Sequence, residues 1–426
     1  MNELKFLRED GNIPKSLLNE DHVSGLLVYL KDAPEYVADD AVSGLKRPKY
    51  MPAKIEVEGE SATYKQTLFA VSSLETAALH GIEYMKDEER DNENIKKHKL
   101  YTNLLYFHLS EIFRINPGIN LYMGVNVNND PTETSFKEVS DLQNFSDGSI
   151  RQMAVYAPYV EYAEGALVAL QGAAEGLEDA CAPLSILYAP KVGKAESLKE
   201  ATQVNQSSRN VSVVIAQDGA GMADILQGKL GTDASVTAIG TVLGLVSKAA
   251  VNESISWVAK FPAGISLPAF SDGTLVRNMD RTTLDKVDGN GFIFARTYPG
   301  LGGSYMSDSC TMAKGTDYQT IESMRTMDKA IRGIRSFLIP ELGRPLYIES
   351  ATGKLSVPTV EHLKTRANKA LEDMEKAGEL SGFTVDIDPN QNVLSNSTIE
   401  IIVKNVAVGV MRKVSVKIGF ATSTNN

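Results

Sequence analysis

The residues best suited to bind a nucleotide follow a predicted strand near the middle of the chain. The loop Gly219–Gly221 comes directly after the apolar run Val211–Ala216 and Asp218, which is how a dinucleotide-binding loop begins. The third glycine of that motif is missing, because its position is occupied by Asp224, whose carboxylate would repel a pyrophosphate. No Walker-type phosphate loop occurs in the sequence. The middle of the chain is therefore a weak candidate for nucleotide binding.

Side chains that could bind a metal or catalyse hydrolysis are scattered. Asp and Asn alternate over residues 386–392 as in a calcium loop, but Gln391 and Ser397 stand where an EF-hand needs glycine and glutamate. The histidines form no HxxxH or HExxH pair, and there is no GxSxG motif. His108 lies on an apolar helix face, which favours a core residue whose ring nitrogens are hydrogen-bonded. We therefore expect no catalytic residue, no metal site, no cofactor and no enzymatic activity.

Four cations repeat along the predicted helix Asp317–Leu338 at spacings of four, three and three: Arg325, Lys329, Arg332 and Arg335. These spacings place them on one stripe of the helix. The residues that this helix is expected to bury are Ile321, Met324, Ile331, Ile334 and Leu338. On a protein of net charge -11, a stripe of one sign is typical of a solvated face or of a surface that attracts an acidic partner. We predict a partner surface.

The most regular strand pattern in the chain lies close to the C-terminus. Seven apolar residues at alternating positions share one face of this strand: Val406, Val408, Val410, Val414, Val416, Ile418 and Phe420. Such a strand needs a partner, because an unpaired edge is a template for another chain. Near the N-terminus, a second predicted strand contains Leu26, Val28 and Leu30 in an otherwise polar, proline-rich stretch.

Strand-length apolar runs alternate with helical segments in the middle of the chain, at Gln66–Val71, Asn120–Val125, Gln152–Ala157, Leu184–Ala189 and Val211–Ala216. This alternation predicts an α/β fold with a mainly parallel sheet. Pro262 and Pro268 indicate a linker. We predict three domains: an N-terminal arm and docking strand over 1–60, an α/β domain over 61–265, and a C-terminal α+β domain over 266–426 that ends in a strand arm.

The composition narrows the class of protein further. An excess of 54 acidic over 43 basic residues argues against a general nucleic-acid-binding protein. The two cysteines, Cys181 and Cys310, exclude a disulfide scaffold. No apolar run is suited to a signal peptide or to a membrane span. We therefore expect synthesis in a cytoplasm, with no direct membrane insertion.

Four features of the C-terminal third carry a resemblance to a known family: Gly289–Thr297, Tyr318 with the basic helix after it, Val360–Ala377 running into Gly378–Phe383, and the closing strand pair Thr398–Phe420. Residues from about 273 to 420 resemble the C-terminal domain of contractile tail sheath proteins of phages, prophages and related injection systems. The middle α/β region is similar in layout to the sheath α/β domain, more weakly. The resemblance implies a sheath-type fold with extended N- and C-terminal strand arms.

What the resemblance implies about function is mechanical. A sheath subunit assembles with itself into six-membered rings, which stack as a helical polymer around an inner tail tube and contract to drive the tube through a cell envelope. Its other partners would be baseplate and tail terminator proteins. Leu26–Leu30 and Val406–Phe420 would be inter-subunit strands, and the four-cation stripe would face the tube or an adjacent subunit. The particle would be a virion tail or an injection device, assembled in the bacterial cytoplasm.

Two alternatives stay open at the level of sequence. One is a nucleotide- or cofactor-binding enzyme that uses the loop Gly219–Asp224 of the middle domain. The other is a different structural protein of a tail or baseplate.

Overall fold

The computed structural model describes residues 20–34, 36, 46–55, 63–89, 91–127, 135–200, 208–313, 315–349, 352–391, 393 and 397–420. The chain divides into two compact units, Met1–Pro345 and Leu346–Asn426. Residues 1–19 of the predicted N-terminal arm lie outside the described residues.

A six-stranded sheet forms the centre of the first unit. Its strands, in chain order, are β1 (Val23–Leu30), β4 (Thr67–Val71), β5 (Asn120–Val127), β6 (Gln152–Glu161), β7 (Ser185–Lys191) and β8 (Val211–Val213). The spatial order is β4-β5-β1-β6-β7-β8. All neighbours are parallel except β4, which pairs antiparallel with β5 at one edge. The predicted α/β class with a mainly parallel sheet is confirmed.

Strand β1 lies in the middle of this sheet, with β5 on one side and β6 on the other. All eight of its residues are buried. Leu26 and Val28 belong to the apolar cluster on one face of the sheet, and Leu27 to the cluster on the other. A strand covered on both faces needs a continuous apolar run, and this requirement explains the sequence of β1.

The prediction that Leu26, Val28 and Leu30 form an inter-subunit strand is therefore wrong. Both edges of β1 are already occupied by strands of the same chain, so no neighbour can add to it. The polar sequence around β1 suggested an arm. The strands that pair with β1 lie far along the chain, beyond residue 119, so the local sequence did not reveal them.

Helices cover both faces of the sheet. In chain order they are α1 (Leu74–Leu79), α2 (Glu93–Ile115), α3 (Glu138–Phe145), α4 (Glu164–Asp179), α5 (Gly221–Leu230) and α6 (Ile239–Lys248). Helix α6 packs closely on α2, because Gly240 and Gly244 remove side chains from the contact. A Cβ atom built on Gly240 would lie 2.6 Å from the His108 carbonyl oxygen, and one on Gly244 would lie 3.0 Å from Ile115 Cβ.

The rest of the first unit packs onto this α/β body. It contains α7 (Arg281–Gly289), α8 (Ile321–Leu338) and the short strands β2 (Ala53–Ile55), β3 (Thr63–Lys65), β9 (Ala216–Asp218), β10 (Pro268–Phe270), β11 (Ala295–Tyr298) and β12 (Leu301–Met306). Strand β10 pairs with β9, and Ile293 bridges Val214 next to β8. The predicted break between residues 265 and 266 thus differs from the division of the chain into compact units, which falls after Pro345.

In its described residues, the second unit has a long helix and a two-stranded sheet. Its elements are α9 (Val357–Lys376), β13 (Leu380–Asp386) and β14 (Ile402–Ala407). Helix α9 has a proline in its first turn and buries Val360, Leu363 and Leu371. Strand β14 runs antiparallel to β13. Residues 408–420 follow β14 and are in no helix or strand.

Candidate assembly surfaces

The segment after β14 exposes one row of large apolar side chains. The exposed fraction of the side chains rises along the segment from 67% at Val414 and 71% at Val416 to 91% at Ile418, and Phe420 is fully exposed. Apolar side chains at this density are rarely left in water on a soluble protein unless another surface covers them. Residues 408–420 are therefore the strongest candidate for an assembly surface.

The long predicted strand over 406–420 is divided in the structure. Val406 lies in β14 and pairs with Gly382 of β13, so this residue is held by a strand of its own chain. Val408 and Val410 are half-buried and follow the end of β14. Val414 to Phe420 contact no strand among the described residues. Their pairing with a neighbouring subunit stays a prediction.

The predicted cation stripe lies on α8, whose start is fixed by Thr320: its hydroxyl oxygen accepts from the Ser323 amide at 3.4 Å. The stripe points into the molecule. Lys329 Nζ lies 2.6 Å from Asp21 Oδ2, and Arg332 Nη2 lies 3.2 Å from Asp21 Oδ1. Arg325 donates to the carbonyl oxygens of Ala249 and Asp21. Arg335 alone of the four is classed as exposed.

The prediction that Arg325, Lys329 and Arg332 face the tube or another partner is therefore wrong. The physical reason is Asp21, a carboxylate just before β1 that is 6% exposed and compensates two of the three cations. Turning the cations inward turns Ile331 outward, against expectation, and that side chain is 40% exposed. Asp21 lies about three hundred positions upstream of α8, so local helical spacing could not reveal the pairing.

A second carboxylate, Asp328, completes this buried charge cluster. Burial raises the pKa of Asp328 to about 7, an effect that the nearby Arg332 partly opposes. Burial also lowers the pKa of the Arg332 guanidinium to about 10. Both directions show that charge is held here in a poorly solvated place, where each charged group depends on its partner.

The glycine loop 219–221 is filled by the protein itself. Asp218 Oδ1 accepts from the amides of Ala220 and Leu267, and its Oδ2 accepts from the Ser266 amide at 2.9 Å. The carboxylate thus accepts hydrogen bonds from amides that could otherwise donate to a bound anion. A Cβ atom on Gly219 would lie 2.8 Å from Leu275 Cδ2, so this glycine is explained by packing.

His108 lies in the core, as predicted, but the described part of the chain does not provide the hydrogen-bond partner that was also expected. Its ring centroid is 4.4 Å from that of Tyr156, and neither ring nitrogen has a hydrogen-bond partner among the described residues. Among all the residues that the structure describes, no group of three or more His, Cys, Asp or Glu side chains is placed to hold a metal ion. The helices that the structure describes include none that is long and apolar enough to cross a membrane.

A groove of about 1760 Å³ opens beside the loop that follows β1. The sheet order β5-β1-β6 makes this the end of the sheet where open α/β proteins bind ligands. Its walls mix both charges, including the ion pair of Lys229 and Asp87 at 2.5 Å. Leu100, Tyr101 and Tyr159 line its apolar part. This groove could not be predicted from the sequence, because its lining comes from segments far apart in the chain.

Comparison with solved structures defines the class of fold. A chain from the cryo-EM structure of the anti-feeding prophage (AFP) baseplate matches with a TM-score of 0.56 at 14% identity, over 99% of both chains. The AFP helical sheath in its contracted state matches with a TM-score of 0.57 at 14% identity, over 98% of this chain and 99% of that one. The contracted PVC sheath complex of an extracellular contractile injection system matches at 0.55 and 11% identity, over 99% of both.

The chain therefore has the fold of contractile-sheath proteins over its whole length. It carries, in order, the N-terminal domain of the family described as DUF2586 at residues 126–310 and the C-terminal domain of the same family at residues 317–425. Curated proteins include none that matches the sequence. The boundary between the two family domains lies just before α8, whereas the first compact unit ends after α8, at Pro345.

Proposed function

We propose that this protein is a structural subunit of a contractile sheath. It polymerises as stacked rings around an inner tube and contracts to drive the tube through a cell envelope. The observation that supports this most is the fold shared over nearly the full length of both chains with AFP and PVC sheath proteins. Its role is mechanical, and we propose no enzymatic activity.

The exposed terminal segment supplies a means of polymerisation. Residues 408–420 follow a two-stranded sheet, so they can add as a strand to the corresponding sheet of another subunit. Backbone hydrogen bonds would give such a contact its strength, and the alternating side chains would fix its register. Repetition of one such head-to-tail contact generates a helical filament.

The partners follow from this role. The subunit would bind other copies of itself, an inner tail tube protein, and baseplate and tail terminator proteins at the ends. Assembly would take place in the bacterial cytoplasm, and the finished particle would be a phage tail or an injection device. Contraction needs no nucleotide if the extended sheath is held in a higher-energy state by the tube and then relaxes.

A second structural role is supported by the match to a chain of the AFP baseplate. In that role the protein would form a single ring at the end of a tail and would not form long tubes. Electron microscopy separates the two proposals, because a sheath subunit produces tubes of many rings.

The terminal segment is tested by replacing its apolar row. Serine at Val414, Val416, Ile418 and Phe420 should abolish tubes while the subunit stays folded. Each of these side chains, once buried, contributes about 1.5–3 kcal/mol to the contact. The measurement is electron microscopy of the polymer together with circular dichroism of the monomer.

The matched control changes the opposite face of the same segment. Serine at Lys413 and Lys417 leaves the apolar row intact, so this variant should still form tubes. If the apolar-row variant polymerises as well as the control, the segment is not the polymer contact. If it unfolds, the segment belongs to the fold of its own subunit.

A further inference from the structure

Three successive residues at the entry to β1 bind three different parts of the first unit. Glu20 accepts from Arg151 Nη2 at 2.8 Å, just before β6. Asp21 accepts from Lys329 and Arg332 of α8. His22 Nδ1 hydrogen-bonds the Ser247 carbonyl oxygen near the end of α6 at 2.5 Å. The turn before β1 is therefore tied to the sheet and to both helices.

The tie between Asp21 and α8 is the most deeply buried of the three. Asp21 is 6% exposed and Lys329 is 3% exposed. Arg325, one turn earlier on α8, reaches the Asp21 carbonyl oxygen at 3.4 Å and the Ala249 carbonyl oxygen at 3.2 Å. Separating α8 from this turn would break the ion pairs of Asp21 with Lys329 and Arg332 in a poorly solvated place, which is strongly unfavourable.

The position of this cluster in the chain indicates a role in addition to stabilising the fold. Residues 1–19 precede the turn directly, and α8 is the last long helix before the second unit begins at Leu346. The turn that follows residues 1–19 in the chain and the last long helix before the second unit are thus joined by the same ion cluster. Strand β1, which follows the turn, is hydrogen-bonded along both edges and resists being pulled out lengthwise.

We propose that the Glu20–His22 turn and α8 form a mechanical anchor. The anchor passes tension on residues 1–19 to α8, and through α8 to the chain that leads into the second unit, without unravelling β1. This inference rests on the proposed sheath role, in which the ends of the chain link subunits that move relative to each other. In such a polymer, tension arriving at one end of a subunit is delivered at the other.

The anchor is tested on the monomer by hydrogen exchange. Asp21→Asn should raise the exchange rates of the α8 amides over 325–333 and of the first residues of β1 at least tenfold, while those of β7 change little. Asp21→Asn combined with Lys329→Met removes one buried carboxylate and one buried cation, leaves Arg332 beside Asp328, and should recover part of the protection. Arg332→Gln, which removes the 3.2 Å contact with Asp21 and the charge beside Asp328 but keeps the Asp21–Lys329 pair, is the second variant if Asp21→Asn does not fold.

The second measurement is the force needed to unfold the monomer when it is pulled through its two ends. Asp21→Asn should unfold at a clearly lower force than the wild type. Gly240→Ala, which crowds the α2–α6 contact and leaves the cluster intact, serves as a control of lowered stability.

The proposal is overturned if Asp21→Asn lowers the unfolding force no more than Gly240→Ala does at the same loss of melting temperature. It is also overturned if exchange rises evenly over the whole unit. Both measurements use the monomer and need no polymer, so the failure of the anchor and the failure of the sheath role are observed separately.

Discussion

His108 is a buried ring between α2 and the sheet, and burial lowers its pKa to about 3. The folded protein therefore keeps the imidazole neutral, whereas the unfolded chain takes up a proton below a pH of about 6.5. The unfolded state gains protons as the pH falls, so this residue lowers the stability of the fold from about pH 6.5 towards pH 3. The slope is at most about 1.4 kcal/mol per pH unit.

Replacing His108 with leucine should flatten this acid dependence. We expect the difference in unfolding free energy between wild type and variant to change by a few kcal/mol between pH 7 and pH 4, measured by urea unfolding. Asp328 acts in the opposite direction, because its pKa is raised to about 7 and the folded state holds a proton that the unfolded state releases. That contribution is common to both proteins and cancels in the difference. Parallel stability curves for the two proteins would contradict the assignment.

At the residue scale, the sequence predicted which residues share one face of a helix better than it predicted which residues they contact. The spacing of Arg325, Lys329 and Arg332 correctly predicted that they share one side of a helix. It did not predict that this side faces the interior. The missing information was Asp21, since one carboxylate far upstream decides which face of α8 is buried. His108 was predicted correctly because an apolar helix face around a single histidine is itself the signal for burial.

At the scale of elements, the close contact of α2 and α6 depends on glycine. Gly240→Ala should lower the unfolding free energy by about 1–3 kcal/mol, because the added Cβ meets the backbone of His108 at 2.6 Å and backbone cannot move aside. Thermal or urea unfolding of the purified variant measures the effect.

Gly228→Ala on α5 is the matched control for this substitution. A Cβ atom there meets nothing within 4 Å, so alanine should leave stability unchanged or raise it by about 0.5–1 kcal/mol. Equal effects of the two substitutions would show that helix propensity, and not the α2–α6 contact, determines the result.

Helices and strands could be predicted where a single local sequence pattern is enough to identify them. The apolar runs at Asn120–Val125, Gln152–Ala157 and Leu184–Ala189 correspond to β5, β6 and β7, and the proline-initiated helix corresponds to α9. The place of β1 was not predictable from its own residues. The apolar run Leu26–Leu30 fits a central strand or a docking strand, and only the positions of β5 and β6 distinguish the two.

At the scale of the whole molecule, the order of elements carried the recognition. The C-terminal sequence of helix, strand, turn and strand predicted a sheath-type fold, and the match over nearly the full length of AFP and PVC sheath chains confirms that fold. The contacts between subunits of the proposed sheath could not be predicted from the sequence, because such contacts would form only between copies of the chain. The exposed row at Val414–Phe420 is the best guide to them.

The most direct test of the central claim is electron microscopy of the purified protein, alone and after expression together with a tube protein from the same gene cluster. We predict tubes of stacked rings whose reconstruction shows residues 408–420 paired as a strand with a neighbouring subunit. A protein that stays monomeric at high concentration with and without the tube protein, and is unchanged in this by deletion of Val414–Asn426, would contradict the account.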